Sequence, residues 1–296
     1  MFIATLIAAE SIAERDISDA VGKMAPLCEV ADWNWIDEGR AADIFFNADP
    51  EYASGVLHGY FATPEHRTDV VIQPAIHRQK RLLVADMDST MITVECIDEL
   101  ADYAGIKDQV AEVTERAMRG ELDFAAALDA RVALLEGLDE GVIARCLAER
   151  VTLMAGARAL VRTMKARGGH AILVSGGFTR FAEPVAAEIG FDRAIANVLE
   201  IANGKLTGTV RKPIVGSHTK EQTLLAALDE LGIGAAESMA VGDGANDLAM
   251  IRRAGLGVAY RAKPIVAGAA AARVDYGDLT ALLYAQGISS AHWITA

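Results

Sequence analysis

From Arg81 onward, short apolar runs alternate with longer segments of helical pattern. The runs are RLLVAD, HAILVSGG, a stretch near AIANVLEI, ESMAVGDG and LGVAY. Strands that alternate with helices of roughly 10–15 residues are typical of βαβ units, so the pattern predicts a doubly wound parallel sheet with helices on both faces, an α/β fold. Residues of about 95–152 have no strand pattern and are rich in Ala, Leu, Glu and Arg, which predicts a helical cap inserted after the first strand.

The first eighty residues have a different organisation. Strand-like runs are FIATLIAA, CEVADWNWI, AADIFFNA and TDVVIQP, and helical segments lie around Ile17–Met24 and YASGVLHGYFA. The order βαββαβ is the ferredoxin-like plan. It resembles the ACT domains attached to many amino-acid enzymes, so we expect an α+β domain at 1–78 and the α/β domain at 79–296.

Composition restricts the classes of partner. The chain has 28 Lys+Arg against 41 Asp+Glu, a formal net charge of −13, which argues against nucleic-acid binding. The apolar start is too short to cross a membrane. Cys28, Cys96 and Cys146 form no CxxC pair, so neither a zinc site nor a disulfide framework is expected. We expect a soluble cytoplasmic protein without nucleic-acid or membrane partners, and a homodimer is one candidate for its oligomeric state.

Two aspartates, Asp86 and Asp88, follow the first apolar run in LLVADMDST. A tight turn after a strand can direct both carboxylates into one crevice, because the chain has left the pleat there. Such a pair can bind Mg²⁺, and one carboxylate can act as a nucleophile while the other transfers a proton. Taken alone, the pair is also consistent with one Asp that caps the following helix and one that is solvated.

Two further segments carry groups suited to an anion. In LVSGGFT, Ser175 and Gly176 end an apolar run just before a helix, where free backbone N–H groups can contact a phosphate. An ordinary strand–helix turn is the alternative. Lys220 begins a helical segment after a polar loop, and it has a functional role only if a cation is needed near Asp86. Otherwise it is a solvated surface lysine.

The segment AVGDGANDLAMI places three oxygen-bearing side chains close together, those of Asp243, Asn246 and Asp247. This set suits a hard cation with oxygen ligands. A helix cap after a glycine turn explains one of the three but not all of them. Since ligands of open parallel sheets bind outside the carboxyl ends of the strands, this segment and the other three are expected to share one site.

The order DxDST, SGG, Lys and GDGxND resembles the haloacid dehalogenase superfamily of phosphotransferases, and the similarity covers residues of about 81–296. The resemblance implies that Asp86 attacks phosphorus and forms an aspartyl-phosphate, while Asp88 protonates the leaving oxygen and then activates water. Lys220 would hold Asp86 as an anion. Met87 stands where this family usually has Phe, and it keeps an apolar group under the turn.

The resemblance also implies Mg²⁺ as the cofactor. Its ligands would be Asp86, the carbonyl of Asp88, and Asp243. Asn246 and Asp247 would complete the surrounding shell.

The stretch DMDSTMITVECIDELA closely resembles the phosphoserine phosphatases of that superfamily. That likeness implies O-phosphoserine as a small-molecule substrate and serine synthesis as the role. Glu95 would accept the substrate ammonium, and Arg131 would bind its carboxylate by two hydrogen bonds. Met118 and Phe124 would form an apolar wall. The phosphate contacts would be Ser175, Gly176 and Asn246.

The sequence is consistent with two other functions and argues against a third. A phosphatase or phosphotransferase for another small phosphorylated metabolite is the alternative within the same fold. A regulatory protein whose residues 1–80 sense an amino acid is a second alternative. A dinucleotide-binding oxidoreductase fails, because aspartates and no GxGxxG follow the first strand of the α/β unit.

Overall fold

The computed structural model describes residues 1–26, 28–61, 63–118 and 121–295, except the side chain of Met118. These residues form an antiparallel N-terminal sheet, a six-stranded parallel sheet, a two-stranded hairpin and the helices around them. The expected combination of an α/β unit with a separate α+β unit is therefore confirmed. Among the described residues there is no helix long and apolar enough to span a bilayer.

The N-terminal unit has the predicted βαββαβ order. Its elements are β1 (Phe2–Ala8), α1 (Glu14–Met24), β2 (Glu29–Asp37), β3 (Ala41–Asn47), α2 (Pro50–Phe61) and β4 (Thr68–Pro74). The strands pair antiparallel in the order β2-β3-β1-β4, which is the ferredoxin-like arrangement. The likeness to ACT domains and the boundary at 78 stay predictions.

Alternation along β1 explains why it is buried on both faces. Ala4 and Leu6 pack under α1 and α2 with Ile17 and Phe61. Ile7 points the other way and belongs to the large core of the parallel sheet. Since successive strand residues face opposite sides, one face of this sheet carries its own helices and the other lies against the rest of the chain.

The parallel sheet has the strand order β12-β11-β10-β5-β6-β7. Its strands are β5 (Leu82–Ala85), β6 (His170–Phe178), β7 (Arg193–Asn197), β10 (Ser238–Gly242), β11 (Leu256–Tyr260) and β12 (Ala272–Val274). The surrounding helices are α7 (Ala157–Ala166), α8 (Thr179–Ile189), α9 (Ser217–Leu231), α10 (Leu248–Arg253), α11 (Pro264–Ala267) and α12 (Ala281–Ala285). Leu83 and Leu82 of β5 belong to separate cores on the two faces, as expected for a doubly wound sheet.

The single strand predicted near AIANVLEI is two strands in the structure, β7 and β8 (Leu199–Ala202). β8 pairs with β9 (Lys205–Val210) as an antiparallel hairpin, and neither β9 nor β12 was predicted from the sequence. The hairpin is short and half exposed, so it lacks a continuous apolar run. β12 begins in an Ala-rich stretch, and Ala has a low strand propensity.

The insertion between β5 and α7 consists of helices, as predicted, and we call it the cap. Its helices are α3 (Cys96–Tyr103), α4 (Lys107–Met118), α5 (Phe124–Ala133) and α6 (Gly141–Arg150). The loop between α5 and α6 pairs with the β8–β9 hairpin: Gly137 N–H donates to the Leu206 carbonyl, and Leu206 N–H donates to the Leu138 carbonyl, both at 2.9 Å. Lys212 adds an ion pair with Asp129 of α5 at 2.6 Å. The cap is thus fastened to the sheet domain at this end.

Candidate active site

The predicted nucleophile, Asp86, directly follows the buried strand β5. Its N–H donates to the Val241 carbonyl at 3.0 Å and so continues the pairing of β5 with β10. The chain then turns tightly, and the N–H groups of Thr90, Met91 and Ile92 all reach the Met87 carbonyl, the last at 3.0 Å. The Met87 side chain is fully buried under this turn. Asp86 is therefore held by the sheet, while the next residues leave the pleat.

Lys220 lies in the first turn of α9 and is fully buried, so the surface alternative for this residue is wrong. Its Nζ donates to Asp86 Oδ1 at 2.5 Å and to Asp247 Oδ1 at 2.6 Å. Gly244 N–H donates to the other Asp247 oxygen at 3.0 Å. One buried cation therefore joins the first and the last of the four sequence motifs.

Burial and mutual charge shift the pKa values of this group. Burial raises the pKa of Asp86 well above its usual range, the charge of Asp247 adds to the rise, and Lys220 opposes it. Burial alone would lower the pKa of Lys220, but the charges of Asp247 and Asp86 outweigh it and raise that pKa. Lys220 thus stays protonated, yet one ammonium does not balance the carboxylates around it.

Asp88 lies between the end of β6 and the start of the cap. The N–H of Cys96, the first residue of α3, donates to Asp88 Oδ1 at 3.1 Å, and the Ser175 hydroxyl lies 3.5 Å from Oδ2. Burial, followed by the charge of Glu95, raises the pKa of Asp88 to about 7. A carboxyl with a pKa near neutrality can both release and accept a proton at that pH.

Asp243, at the end of β10, completes a group of three carboxylates. Oxygens of Asp86, Asp243 and Asp247 all lie within 4.8 Å of one another. Burial and then the charge of Asp247 raise the pKa of Asp243 to about 6. Clustered carboxylates that resist ionisation are stabilised by a divalent cation, and oxygen ligands suit a hard one, so these residues fit a metal.

The position of Asp247 adds to the predicted metal set. It lies within the carboxylate group, whereas it was expected only in the surrounding shell. The carbonyl of Asp88, the third expected ligand, stays a prediction. Thr90 is fully buried, and its hydroxyl lies 3.4 Å from Asp243 Oδ1, which links the first turn to the fourth motif.

The Ser-Gly-Gly segment bulges out of the sheet edge. Val174 pairs with Ile195, but the next pair is Phe178 with Asn197, so β6 has two more residues than β7 at this point. The Gly177 N–H donates to Ser175 Oγ at 2.8 Å.

A side chain at either bulge position would crowd a neighbouring side chain. A Cβ on Gly176 would lie 3.0 Å from the Phe124 ring, and one on Gly177 would lie 2.7 Å from Asp88 Oδ2. The glycines therefore let the backbone approach Asp88 and the cap.

These segments surround one cavity of about 430 Å³ between the strand ends and the cap. Eight of the residues singled out in the sequence line it: Asp86, Asp88, Glu95, Phe124, Arg131, Gly176, Asp243 and Asn246. Ser175, Lys220 and Asp247 reach the same group through the hydrogen bonds described above. Met118 ends α4, but its side chain lies outside the described residues.

The cap supplies one acid and one base from the predicted set. Glu95 precedes the first turn of α3, and its carboxylate accepts a 2.7 Å hydrogen bond from Ser89. Arg131 donates through Nε to the Ala127 carbonyl at 3.2 Å, and its two terminal nitrogens have no hydrogen bond to any residue that the structure describes. Burial lowers the pKa of Arg131, and the charges of Asp98 and Glu95 raise it.

Sequence reasoning missed other residues that line the cavity, among them Asp98 and Lys263. Asp98 lies three positions after Glu95 in α3, hence on the same helix face, and that spacing could have indicated it. Lys263 follows β11, and its N–H donates to the Asp243 carbonyl at 3.2 Å. Its sequence context, RAKP, offered no comparable signal.

Comparison with known proteins agrees with this geometry. The family model for haloacid dehalogenase-like hydrolases matches residues 83–252. A phosphoserine phosphatase of Streptomyces coelicolor is 47% identical over 220 residues, which cover 74% of this chain and 53% of that protein. A probable phosphoserine phosphatase of Schizosaccharomyces pombe is 45% identical over 240 residues, 80% of each chain.

Among solved structures, an unliganded probable phosphoserine phosphatase of Vibrio cholerae aligns with a TM-score of 0.79 and 33% identity, over 98% of this chain and 87% of that one. Several curated relatives are considerably longer than the matched region, which spans 53%, 62% and 65% of the length of three of them.

Proposed function

The chain belongs to the haloacid dehalogenase-like hydrolases, and we propose that it hydrolyses O-phospho-L-serine to L-serine and phosphate in the cytoplasm. One observation carries this proposal: a single cavity is lined by Asp86 and Asp88 and by an acid and a base of the cap, Glu95 and Arg131. A zwitterionic head group needs one partner of each sign, and the phosphate end needs the paired aspartates. The names of the curated relatives support the same substrate.

In the first step, a carboxylate oxygen of Asp86 attacks phosphorus, and the bond from phosphorus to the serine oxygen breaks. Asp88 gives its proton to that oxygen, so L-serine leaves and an aspartyl-phosphate remains. Lys220, 2.5 Å from Asp86 Oδ1, keeps the nucleophile anionic and fixes its orientation. The rigid strand β5 keeps the attacking oxygen at a constant distance from the substrate.

In the second step, Asp88 takes a proton from a water molecule whose oxygen attacks the aspartyl-phosphate. The bond between phosphorus and the Asp86 oxygen breaks, which releases phosphate and restores both acids. A pKa of about 7 suits Asp88 to both directions of proton transfer. Its contacts with the Cys96 N–H and the Ser175 hydroxyl hold it in place for each.

Mg²⁺ is the metal that we propose for the carboxylate group. Asp86, the Asp88 carbonyl and Asp243 would hold it, and Asp247 lies close enough to join them or to orient them through Lys220. When bound, the ion supplies positive charge that offsets the repulsion between the phosphate dianion and the carboxylate nucleophile.

Selectivity is proposed to come from the cap. Glu95, held by Ser89, would accept the substrate ammonium, and the free nitrogens of Arg131 would bind its carboxylate. Phe124 packs over Gly176 and forms an apolar wall, to which we add Met118 from the sequence alone. Ser175, Gly176 and Asn246 would contact the phosphate.

The test is phosphate release from L-phosphoserine with Mg²⁺, with and without a chelator, by the parent protein and by Arg131→Ala. We expect activity that the chelator abolishes. We also expect Arg131→Ala to raise KM for L-phosphoserine about 10²-fold, since a charge-assisted pair is lost, while p-nitrophenyl phosphate is little affected. Arg145→Ala, an exposed change on cap helix α6, is the matched control.

Two outcomes would redirect the assignment. If Arg131→Ala loses the same fraction of its activity toward L-phosphoserine and p-nitrophenyl phosphate, the arginine has no role in selectivity. If the parent hydrolyses another small phosphorylated metabolite in preference to L-phosphoserine, the alternative within the same family is correct.

A further inference from the structure

Asn197 is a buried polar residue outside the four sequence motifs, and it ends the edge strand β7. Its side chain is only 2% exposed. The amide nitrogen donates to the Gly176 carbonyl at 2.8 Å and to the Val215 carbonyl at 3.2 Å. The amide oxygen accepts from the Val215 N–H at 2.7 Å. A buried amide with each of its polar atoms bonded to backbone joins three segments that are distant in the sequence.

One of these segments is the bulge that carries Ser175 and Gly176. Because the Gly176 carbonyl and the Gly177 N–H belong to one peptide plane, Asn197 fixes that plane at its oxygen end, while Ser175 Oγ fixes it at the nitrogen end. Ser175 Oγ accepts from the Gly177 N–H, so its own proton is free to donate toward Asp88 or a phosphate. Asn197 thus acts on the phosphate-binding groups without touching the cavity.

The other segment leads to the catalytic lysine. Val215 precedes Gly216, whose carbonyl accepts the N–H of Lys220 at 3.0 Å in the first turn of α9. The two hydrogen bonds of Asn197 to Val215 therefore fix the start of that helix. A shift of Val215 would move Lys220 relative to Asp86.

We propose that Asn197 is a positioning residue that sets the distance between the Ser175–Gly176 phosphate loop and Lys220. The inference rests on the proposed phosphatase activity, but it concerns phosphate binding rather than the choice of substrate. No residue of the cap takes part in it. Its consequence is that Asn197 affects every phosphorylated substrate to the same degree.

The experiment uses two variants. Asn197→Asp keeps the shape of the side chain and removes the amide donor, and Asn197→Ser removes the whole amide group. Binding of inorganic phosphate is measured by calorimetry with Mg²⁺ present. Turnover of L-phosphoserine and of p-nitrophenyl phosphate is measured well below the melting temperature of each variant. We expect the Kd for phosphate to rise about tenfold and kcat to fall about 10²-fold for both substrates, as when a preorganised donor is lost.

Leu57→Ala is the destabilised control, because Leu57 is fully buried in the core of the N-terminal unit, away from the cavity. It should lower the melting temperature without changing the Kd for phosphate. The proposal is overturned if both Asn197 variants bind phosphate as the parent does, or if they lose no more activity than Leu57→Ala. It is overturned as well if neither variant folds, since Asn197 would then serve folding.

Failure of the proposed function gives a different result. A parent protein that hydrolyses p-nitrophenyl phosphate but not L-phosphoserine would refute the substrate and leave the effect of Asn197 measurable. A parent inactive toward both would still report the role of Asn197 through its Kd for phosphate.

Discussion

Two groups of charged side chains, one half-buried and one fully buried, differ in how completely their charges are matched. The interface cluster, Arg78 with Asp43 and Thr5, lies between the N-terminal sheet and the rest of the chain. Arg78 binds both Asp43 oxygens at 2.6 Å, and its remaining N–H groups reach Thr5 and the carbonyls of Ala285 and Tyr284. One cation meets one anion, and the other donors also have acceptors.

The catalytic cluster, Lys220 with Asp86 and Asp247, has hydrogen bonds equally short but a different charge count. One ammonium meets two carboxylates, and Asp243 and Asp88 lie close by. Burial and this excess of negative charge raise the pKa values of Asp86, Asp88 and Asp243. A further cation would therefore stabilise the ionised carboxylates of this group.

Under the proposed function, we interpret the first group as serving stability and the second as serving chemistry. When either partner of a matched, fully bonded pair is removed, the free energy of unfolding of the protein falls. An unmatched group carries a repulsion that a bound cation relieves, so we expect removal of one of its acids to affect the proposed activity more than folding.

The largest effect is expected from Asp86→Asn. The amide cannot attack phosphorus, so kcat should fall about 10⁴-fold or more. Circular dichroism should match the parent, and the metal-free melting temperature should not fall, because one of the mutually repelling acids becomes neutral. Ready hydrolysis by this variant would refute the mechanism, and a large loss of stability would refute the contrast between the clusters.

Asp43→Asn tests the other cluster and should act in the opposite way. It leaves the half-buried Arg78 without its full partner, so the free energy of unfolding should fall by about 1–3 kcal/mol. Turnover per folded molecule should stay close to that of the parent. Chemical denaturation measures the first quantity, with the exposed change Glu29→Gln on β2 as control. A loss no larger than in the control would show that the interface cluster contributes little.

The smallest effect concerns pH. A carboxyl whose folded pKa is raised binds more protons folded than unfolded, so its stabilisation is lost as pH rises from the unfolded value toward the folded one. Asp88 and Asp243 have folded pKa values of about 7 and about 6, against an ordinary 3.8. With chelator, their contribution should lower the melting temperature between about pH 4 and pH 7.

The matched measurement adds Mg²⁺. Stabilisation by the metal should grow over the same pH range, because ionised carboxylates bind it better. Substituting Asn at both Asp88 and Asp243 should make the metal-free curve less steep, with Asp86 contributing the remainder. An unchanged curve in that double variant would assign the pH dependence to other groups.

The sequence allowed much of the site to be predicted because its chemistry follows strand ends. Asp86 and Asp243 each come directly after an apolar run, and parallel strands bring such positions to one edge. The double pairing of Lys220 depends on the distance across the edge to Asp247, which no local pattern encodes. Asn197 was missed for the same reason, since its partners lie at Gly176 and Val215.

The fold, like the site, has elements that local sequence predicts and elements that only tertiary contacts determine. β5 and β6 were predictable as continuous buried runs, and the N-terminal order followed from alternating patterns. The β8–β9 hairpin was not, because its residues gain their contacts from the cap and not from a strongly apolar pattern of their own. Local signals predict elements that carry their own burial pattern, and they fail where tertiary contacts decide.

The hairpin has a consequence for how a substrate enters. Because Gly137, Leu206 and the Lys212–Asp129 pair fasten one end of the cap, the cap cannot lift away as a unit without breaking backbone hydrogen bonds. We expect opening as a hinge about the hairpin, with α4 moving furthest, because α4 packs on the cap helices α3 and α5 whereas α3 also contacts β6. Amide exchange at Leu206 should then stay slow while the α4 amides exchange, because the hairpin does not move when the cap opens.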